Sequence, residues 1–142
     1  MAIMQLSVFL ENRLGRLDDV LNILKDNHIN IKALSLADKA SYGILRMIVD
    51  NPEKGIVVLK KEHISVNFTP VVAVEIEDRP GGLQDMIRVL VKEGINIEYM
   101  YAFIAKSKDK AIVVLKVEDI DKTEESLMLM GKNIIAKNNI PL

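Results

Sequence analysis

Glu77-Asp78-Arg79-Pro80-Gly81-Gly82-Leu83 and Glu11-Asn12-Arg13-Leu14-Gly15-Arg16-Leu17 are two versions of one segment, 66 positions apart. The same offset lays Asp19, Leu24 and Ile29-Asn30-Ile31 on Asp85, Leu90 and Ile95-Asn96-Ile97, so the likeness runs well past the turn. Further on the offset becomes 68, with Val49-Asp50-Asn51 over Val117-Glu118-Asp119 and Lys54 over Lys122, which places two extra residues in a connection of the second copy. The chain is an internal duplication. Its boundary falls at Thr69-Pro70, giving a first domain of residues 1–69 and a second of residues 70–142.

Within each copy the apolar period switches from two to 3.6 and back. Ile3 to Leu10 reads as a strand, followed by a polar loop and a helix that turns Leu17, Val20, Leu21 and Leu24 inward. That helix ends near Asn27-His28. Ile29–Leu36 and Ile44–Val49 read as a hairpin around Asp38-Lys39-Ala40-Ser41. Asn51-Pro52-Glu53 opens a second helix, because Asn is a favoured N-cap and Pro is tolerated at the first helical position. Ile64–Phe68 closes the copy as a strand. The second copy repeats the order: strand Val71–Glu77, helix Gly81–Glu93 with Leu83, Met86, Ile87 and Leu90 inward, strands Ile95–Ala105 and Ala111–Val117, helix Lys122–Met130 and strand Asn133–Ala136. Two βαββαβ units predict an α+β, ferredoxin-like fold, each unit an antiparallel sheet with helices on one face. One core of about 70 residues is marginal, so the two sheets are expected to pack or pair edges.

Composition narrows the function. Of 142 residues, 49% are apolar and 27% charged, the composition of a folded globular chain. A net charge of −1 leaves no basic surplus for a phosphate backbone, which argues against a nucleic acid partner. The absence of cysteine removes thiolate metal sites, iron–sulfur clusters and a cysteine nucleophile. No apolar run approaches the roughly 18 residues of a membrane span, so the chain reads as soluble and cytoplasmic with no membrane partner.

The chemistry concentrates in the two turns. A glycine there lets the backbone enter the helix sharply and leaves the first helical N–H groups free, a site for a small carboxylate. Asn12 or Asp78 supplies an acceptor for an ammonium group, and carboxylate beside amine describes an amino acid. The competing reading makes Asn12 and Asp78 simple helix caps.

These residues resemble the ACT domain, the amino-acid-sensing regulatory module of biosynthetic enzymes, whose pattern is [Asn/Asp]-x-Pro-Gly-x-Leu, an amphipathic helix, then Gly-[Ile/Val]-Asn-Ile. Asp78 to Leu83 with Gly94-Ile95-Asn96-Ile97 fits throughout; the first copy departs at Leu14 and His28. The resemblance covers almost the whole chain as a tandem pair with no catalytic domain. It implies side-by-side sheets with effectors bound at the interface of the two domains, Asn12, Leu14 and Gly15 facing Asn96, and Asp78, Pro80 and Gly81 facing Asn30. The two sites should differ, because Asp78 is anionic where Asn12 is neutral and Arg16 is bulky where Gly82 leaves room. Arg16 either blocks the first site or grips a carboxylate. Gly82 and Leu83 complete the set of candidate ligand-binding residues. For Asn30 and Asn96 the competing reading is that they begin strands as turn residues.

Other features read as structural. His28 and His63 lack a second ligand at metal spacing, so no metal or cofactor is expected. Lys106, Lys108 and Lys110, with Ser107 and Asp109, read as a solvated turn. Leu127 to Met130 reads as core, with a dimer contact as the alternative. Tyr99, Tyr101 and Phe103 share one sheet face, an arrangement that stacks bases in RNA-binding sheets. No basic groove accompanies them, and they are instead candidates to line the effector site. Acylphosphatase shares the element order but needs an arginine-bearing glycine loop absent here, so the chain is not read as an enzyme. The expectation is a tandem ACT regulatory protein that binds an amino acid and signals to a partner enzyme, with a homodimer as a candidate assembly; the alternative is a ligand-free interaction subunit whose paired sheet is the docking surface.

Overall fold

The computed structural model describes residues 3–39, 41–104 and 109–136. They form two compact units, one of Met4–Thr69 and one of the residues from Pro70 onward together with Ile3. No helix among the described residues is long and apolar enough to cross a membrane.

The first unit contains β1 (Ile3–Glu11), α1 (Arg16–Asp26), β2 (Ile31–Lys39), β3 (Tyr42–Val49), α2 (Pro52–Lys61) and the first part of β4 (Ser65–Glu77). β3 lies between β2 and β1 and pairs antiparallel with both: Leu45 faces Val8 on one side and Leu36 on the other. Ser7 Oγ and Thr69 Oγ1 lie 2.7 Å apart, joining β1 to the start of β4. The alternate residues Leu6, Val8 and Leu10 of β1 and Leu45, Met47 and Val49 of β3 meet Val20 and Leu24 of α1 and Leu59 of α2, so both helices cover one face. Asn51 caps α2 by accepting the Lys54 N–H at 3.1 Å, with Pro52 at the first helical position, where its missing N–H costs nothing.

The second unit repeats this with the rest of β4, α3 (Gly82–Lys92), β5 (Ile97–Ile104), β6 (Lys110–Val117), α4 (Ile120–Leu129) and β7 (Asn133–Ile134). Its strand order is β5-β6-β4-β7, antiparallel throughout. Val72, Val74 and Ile76 of β4 and Val113, Leu115 and Val117 of β6 pack on Met86, Val89 and Leu90 of α3 and Leu127 of α4. Asp119 caps α4 through the Lys122 N–H at 3.0 Å, as Asn51 caps α2.

Four local expectations change. The strands read as Ile64–Phe68 and Val71–Glu77 are one strand, Ser65–Glu77. Proline's fixed φ suits extended backbone and removes only one donor, so Pro70 does not end it. Leu83 is 38% exposed rather than inward, because it sits in the first turn of α3 while the core begins at Met86. Only Leu127 of the α4 end is buried; Met128, Leu129 and Met130 are exposed. β7 covers two residues, not four. Ala40, Ala105, Lys106, Ser107 and Lys108 lie outside the described residues.

Candidate functional site

Gly15 and Gly81 adopt the same left-handed conformation, φ 84° and 86°, and each is the N-cap residue of the helix that follows. An L side chain rarely takes that backbone, which accounts for glycine in both copies. The N-cap residue of each helix is therefore glycine, three residues downstream of Asn12 and Asp78. Their backbones anchor the turn to its own hairpin: Asn12 N–H donates to the Ser41 carbonyl at 3.1 Å and Asp78 N–H to the Asp109 carbonyl at 2.8 Å. The first bonds back into the helices are those of Asp19 N–H to Gly15 and Asp85 N–H to Gly81. The N–H groups of Leu17 and Asp18, and of Leu83 and Gln84, therefore precede the intrahelical ladder and carry the positive end of the helix dipole.

In the first turn a cavity of about 160 Å³ is lined by Asn12, Arg13, Arg16 and Leu17, with Leu36, Ala37 and Gly43 of the β2–β3 hairpin opposite. Arg16 is four-fifths buried, and its Nε is buried with no hydrogen-bond partner among the described residues. Its Nη1 reaches Asp19 Oδ2 at 3.6 Å, too long for a strong bond. A buried charged donor left unsatisfied is costly and marks a place where an anion would be welcome. Leu14 is fully exposed and lines none of this cavity.

The second turn is built differently. Arg79 donates from Nε to Glu77 Oε2 at 2.5 Å, from Nη2 to Asp85 Oδ2 at 2.7 Å and from Nη1 to the Pro80 carbonyl at 3.1 Å. It laces the end of β4, the turn and the start of α3 together, whereas Arg13 in the first copy holds Glu11 alone among the described residues, at 3.0 Å. The bond from Arg79, followed by its charge, holds the Glu77 carboxyl below its ordinary range. Gly82 is buried, and a Cβ there would stand 2.1 Å from the Glu77 carbonyl oxygen. The expectation that Gly82 leaves room for a ligand is thus corrected: that room is already filled by backbone.

Asn30 and Asn96 do not join the turn of their own copy. Ile97 pairs with Val117 at one end of the second sheet, while Glu77 pairs with Lys110 at the other. Seven steps of β6 separate these ends, about 23 Å at roughly 3.3 Å per residue. Asn96 instead lines an open cavity of about 610 Å³ with Glu118, Asp119 and Lys122, and Asn30 N–H donates to Asp50 Oδ1 at 3.1 Å. Both are exposed and precede a strand. The hairpin residues Leu36, Ala37 and Gly43 were not readable as site residues, because only strand pairing brings them to the turn.

His28 and His63 have φ of 57° and 61°, and their counterparts Gly94 and Gly131 have 71° and 77°. All four occupy the left-handed position after a helix, which explains the departure at His28 without a ligand role.

The sequence profile described as "ACT domain pair" matches residues 1–141. The chain belongs to the ACT domain-pair family. Among solved structures, protein BT0572 from Bacteroides thetaiotaomicron is 39% identical, with 99% of this chain and 96% of that chain covered and a TM-score of 0.93. The ligand-free regulatory subunit of aspartate kinase from Thermus thermophilus is 16% identical over 92% of each chain, TM-score 0.66. Aspartate kinase from Clostridium acetobutylicum, described as an allosteric enzyme, is 17% identical over 89% of this chain and 32% of that one, TM-score 0.55. At those identities the two kinase proteins share the ACT fold with this chain. No curated protein sequence matches it.

Proposed function

We propose that this ACT domain pair is a non-catalytic regulatory subunit that binds a free amino acid and passes occupancy to a partner enzyme of amino-acid metabolism. One observation carries the reading: Arg16, whose Nε is buried and unpartnered, lines one cavity with Asn12 and Leu17 at the start of a helix whose Leu17 and Asp18 N–H groups precede the intrahelical ladder. An α-carboxylate would accept from these donors, and the amide oxygen of Asn12 would accept from the ammonium group. Arg16 is then the grip and not the block, and the first turn is the stronger site. The second turn, with Asp78, Pro80 and Gly81, is the weaker one, because its arginine is already engaged by Glu77 and Asp85. The proposal also carries what the family resemblance implies, that Asn96 completes the first site and Asn30 the second. The shared fold with a kinase regulatory subunit supports a regulatory role without establishing it. Occupancy can shift a conformational equilibrium only as far as the ligand prefers one arrangement over the other.

Thermal unfolding of the whole chain against each of the twenty protein amino acids tests this reading. A ligand at 100 times its dissociation constant stabilises by about 2.7 kcal/mol, enough for a rise of several degrees. One chemical class should produce that rise, and Gly15→Val and Asn96→Ala should remove it. No rise with any amino acid would refute effector binding and leave the interaction subunit.

A further inference from the structure

The duplication supplies an internal control for the helix surface. α2 and α4 both run for ten residues from an equivalent cap, Asn51 onto Lys54 N–H and Asp119 onto Lys122 N–H, so they align residue for residue. On that alignment Met128, Leu129 and Met130 stand where the first copy has Lys60, Lys61 and Glu62. All six positions are exposed, and the three apolar ones are 56%, 80% and 63% accessible. At these three positions one copy carries charge, while the other presents thioether and isobutyl groups to water. Leu129 and Met130 line a groove of about 600 Å³ between α3 and α4. Its charged wall carries both signs on each side: besides Asp85, which Arg79 holds, it has Arg88, Lys92 and Glu93 from the α3 side and Lys122 and Glu125 from α4. Arg88, Lys92, Glu93, Lys122 and Glu125 are in no ion pair among the described residues.

We propose that this α3–α4 face of the second copy is a dimer interface, occupied by the same face of a second chain about a twofold axis. An apolar centre inside a polar rim is the anatomy of a protein interface, and exposed apolar clusters of this kind mark such sites. The rim selects the occupant. A partner of one charge sign would meet like charges on either helix. A twofold copy meets its own pattern inverted, residue i against j and j against i, so that Lys92 and Lys122 can face Glu125 and Glu93 of the second chain. The amino-acid site plays no part in this contact.

Light scattering on the full chain, eluted from a sizing column at micromolar to high micromolar concentration, tests the proposal. The expected mass is twice the 15.9 kDa of one chain. The triple variant Met128→Lys, Leu129→Lys, Met130→Glu installs the first copy's residues at exposed positions and should elute at a single chain's mass. Glu125→Lys should weaken the dimer, and adding Lys92→Glu should restore it. A wild-type mass of 15.9 kDa at every concentration would overturn the proposal and assign the face to a different protein. A dimer that survives the triple variant would overturn it as well, since another surface would then hold the chains together.

Discussion

Gly82→Ala separates two explanations of glycine in the second turn. The φ of Gly82 is not in the left-handed region, so conformation alone permits alanine, and helix propensity favours alanine over glycine by about 1 kcal/mol. Packing says the opposite. The new Cβ would stand 2.1 Å from the Glu77 carbonyl oxygen and 3.2 Å from its carbon, where a relaxed carbon–oxygen contact needs about 3.3 Å. The obstacle is backbone at the end of β4 and cannot rotate away, so the turn must open by about 1 Å. Overpacking of this kind costs about 3 kcal/mol at its upper end, and the propensity gain leaves a net loss of about 2 kcal/mol. In thermal unfolding that corresponds to a fall of about 8 °C, at roughly 4 °C per kcal/mol for a domain of this size. Urea unfolding at unchanged m-value should agree. Gly15→Ala is the companion: nothing lies within 4 Å of its Cβ, but its φ is 84°, so the loss should be about 1 kcal/mol from conformation alone. A Gly82→Ala protein as stable as wild type, or more so, would refute the packing argument.

Arg16→Met keeps the stem that packs beside Leu17 but removes the unsatisfied guanidinium. The ligand-free protein should gain about 1 kcal/mol in urea unfolding while ligand stabilisation disappears. Arg79→Met tests the second turn by pH. Because Arg79 lowers the folded-state value of Glu77 from its ordinary 4.5, its stabilisation is fully present above that value and fades as pH falls through the folded-state value. Wild type should therefore exceed the variant at neutral pH by a small margin, both groups being exposed, and the two should converge in acid. His28→Gly relieves a left-handed φ of 57° on a non-glycine residue and should raise stability by about 0.5–1 kcal/mol, read as a shift in the urea midpoint.

The duplication and the switch of apolar period made the element order legible, because Leu6 to Leu10 and Leu45 to Val49 alternate and Val20 and Leu24 recur at helical spacing. Gly15 and Gly81 were legible as turn glycines for the same local reason. What escaped the sequence depended on contacts distant along the chain. Gly82 looked like open space until strand β4 placed a carbonyl against it. Arg16 could have pointed anywhere; in the fold its Nε is buried and it lines a cavity with Leu36, Ala37 and Gly43 of the β2–β3 hairpin. Met128 to Met130 looked like core because apolar residues usually are, yet they sit at the C-terminal end of α4 and are exposed to solvent. Thr69-Pro70 looked like a gap between two strands and proved to lie within a single one.

The central claim is that an amino acid places its carboxylate on the free donors at the start of α1. Titrating the isotopically labelled chain with the stabilising amino acid, and following its amide and arginine side-chain resonances by NMR, tests this directly. The account predicts saturable movement of the Leu17 and Asp18 amides and of the Arg16 Nε–H signal, with one shared dissociation constant. Saturable binding that leaves those three signals in place would contradict it.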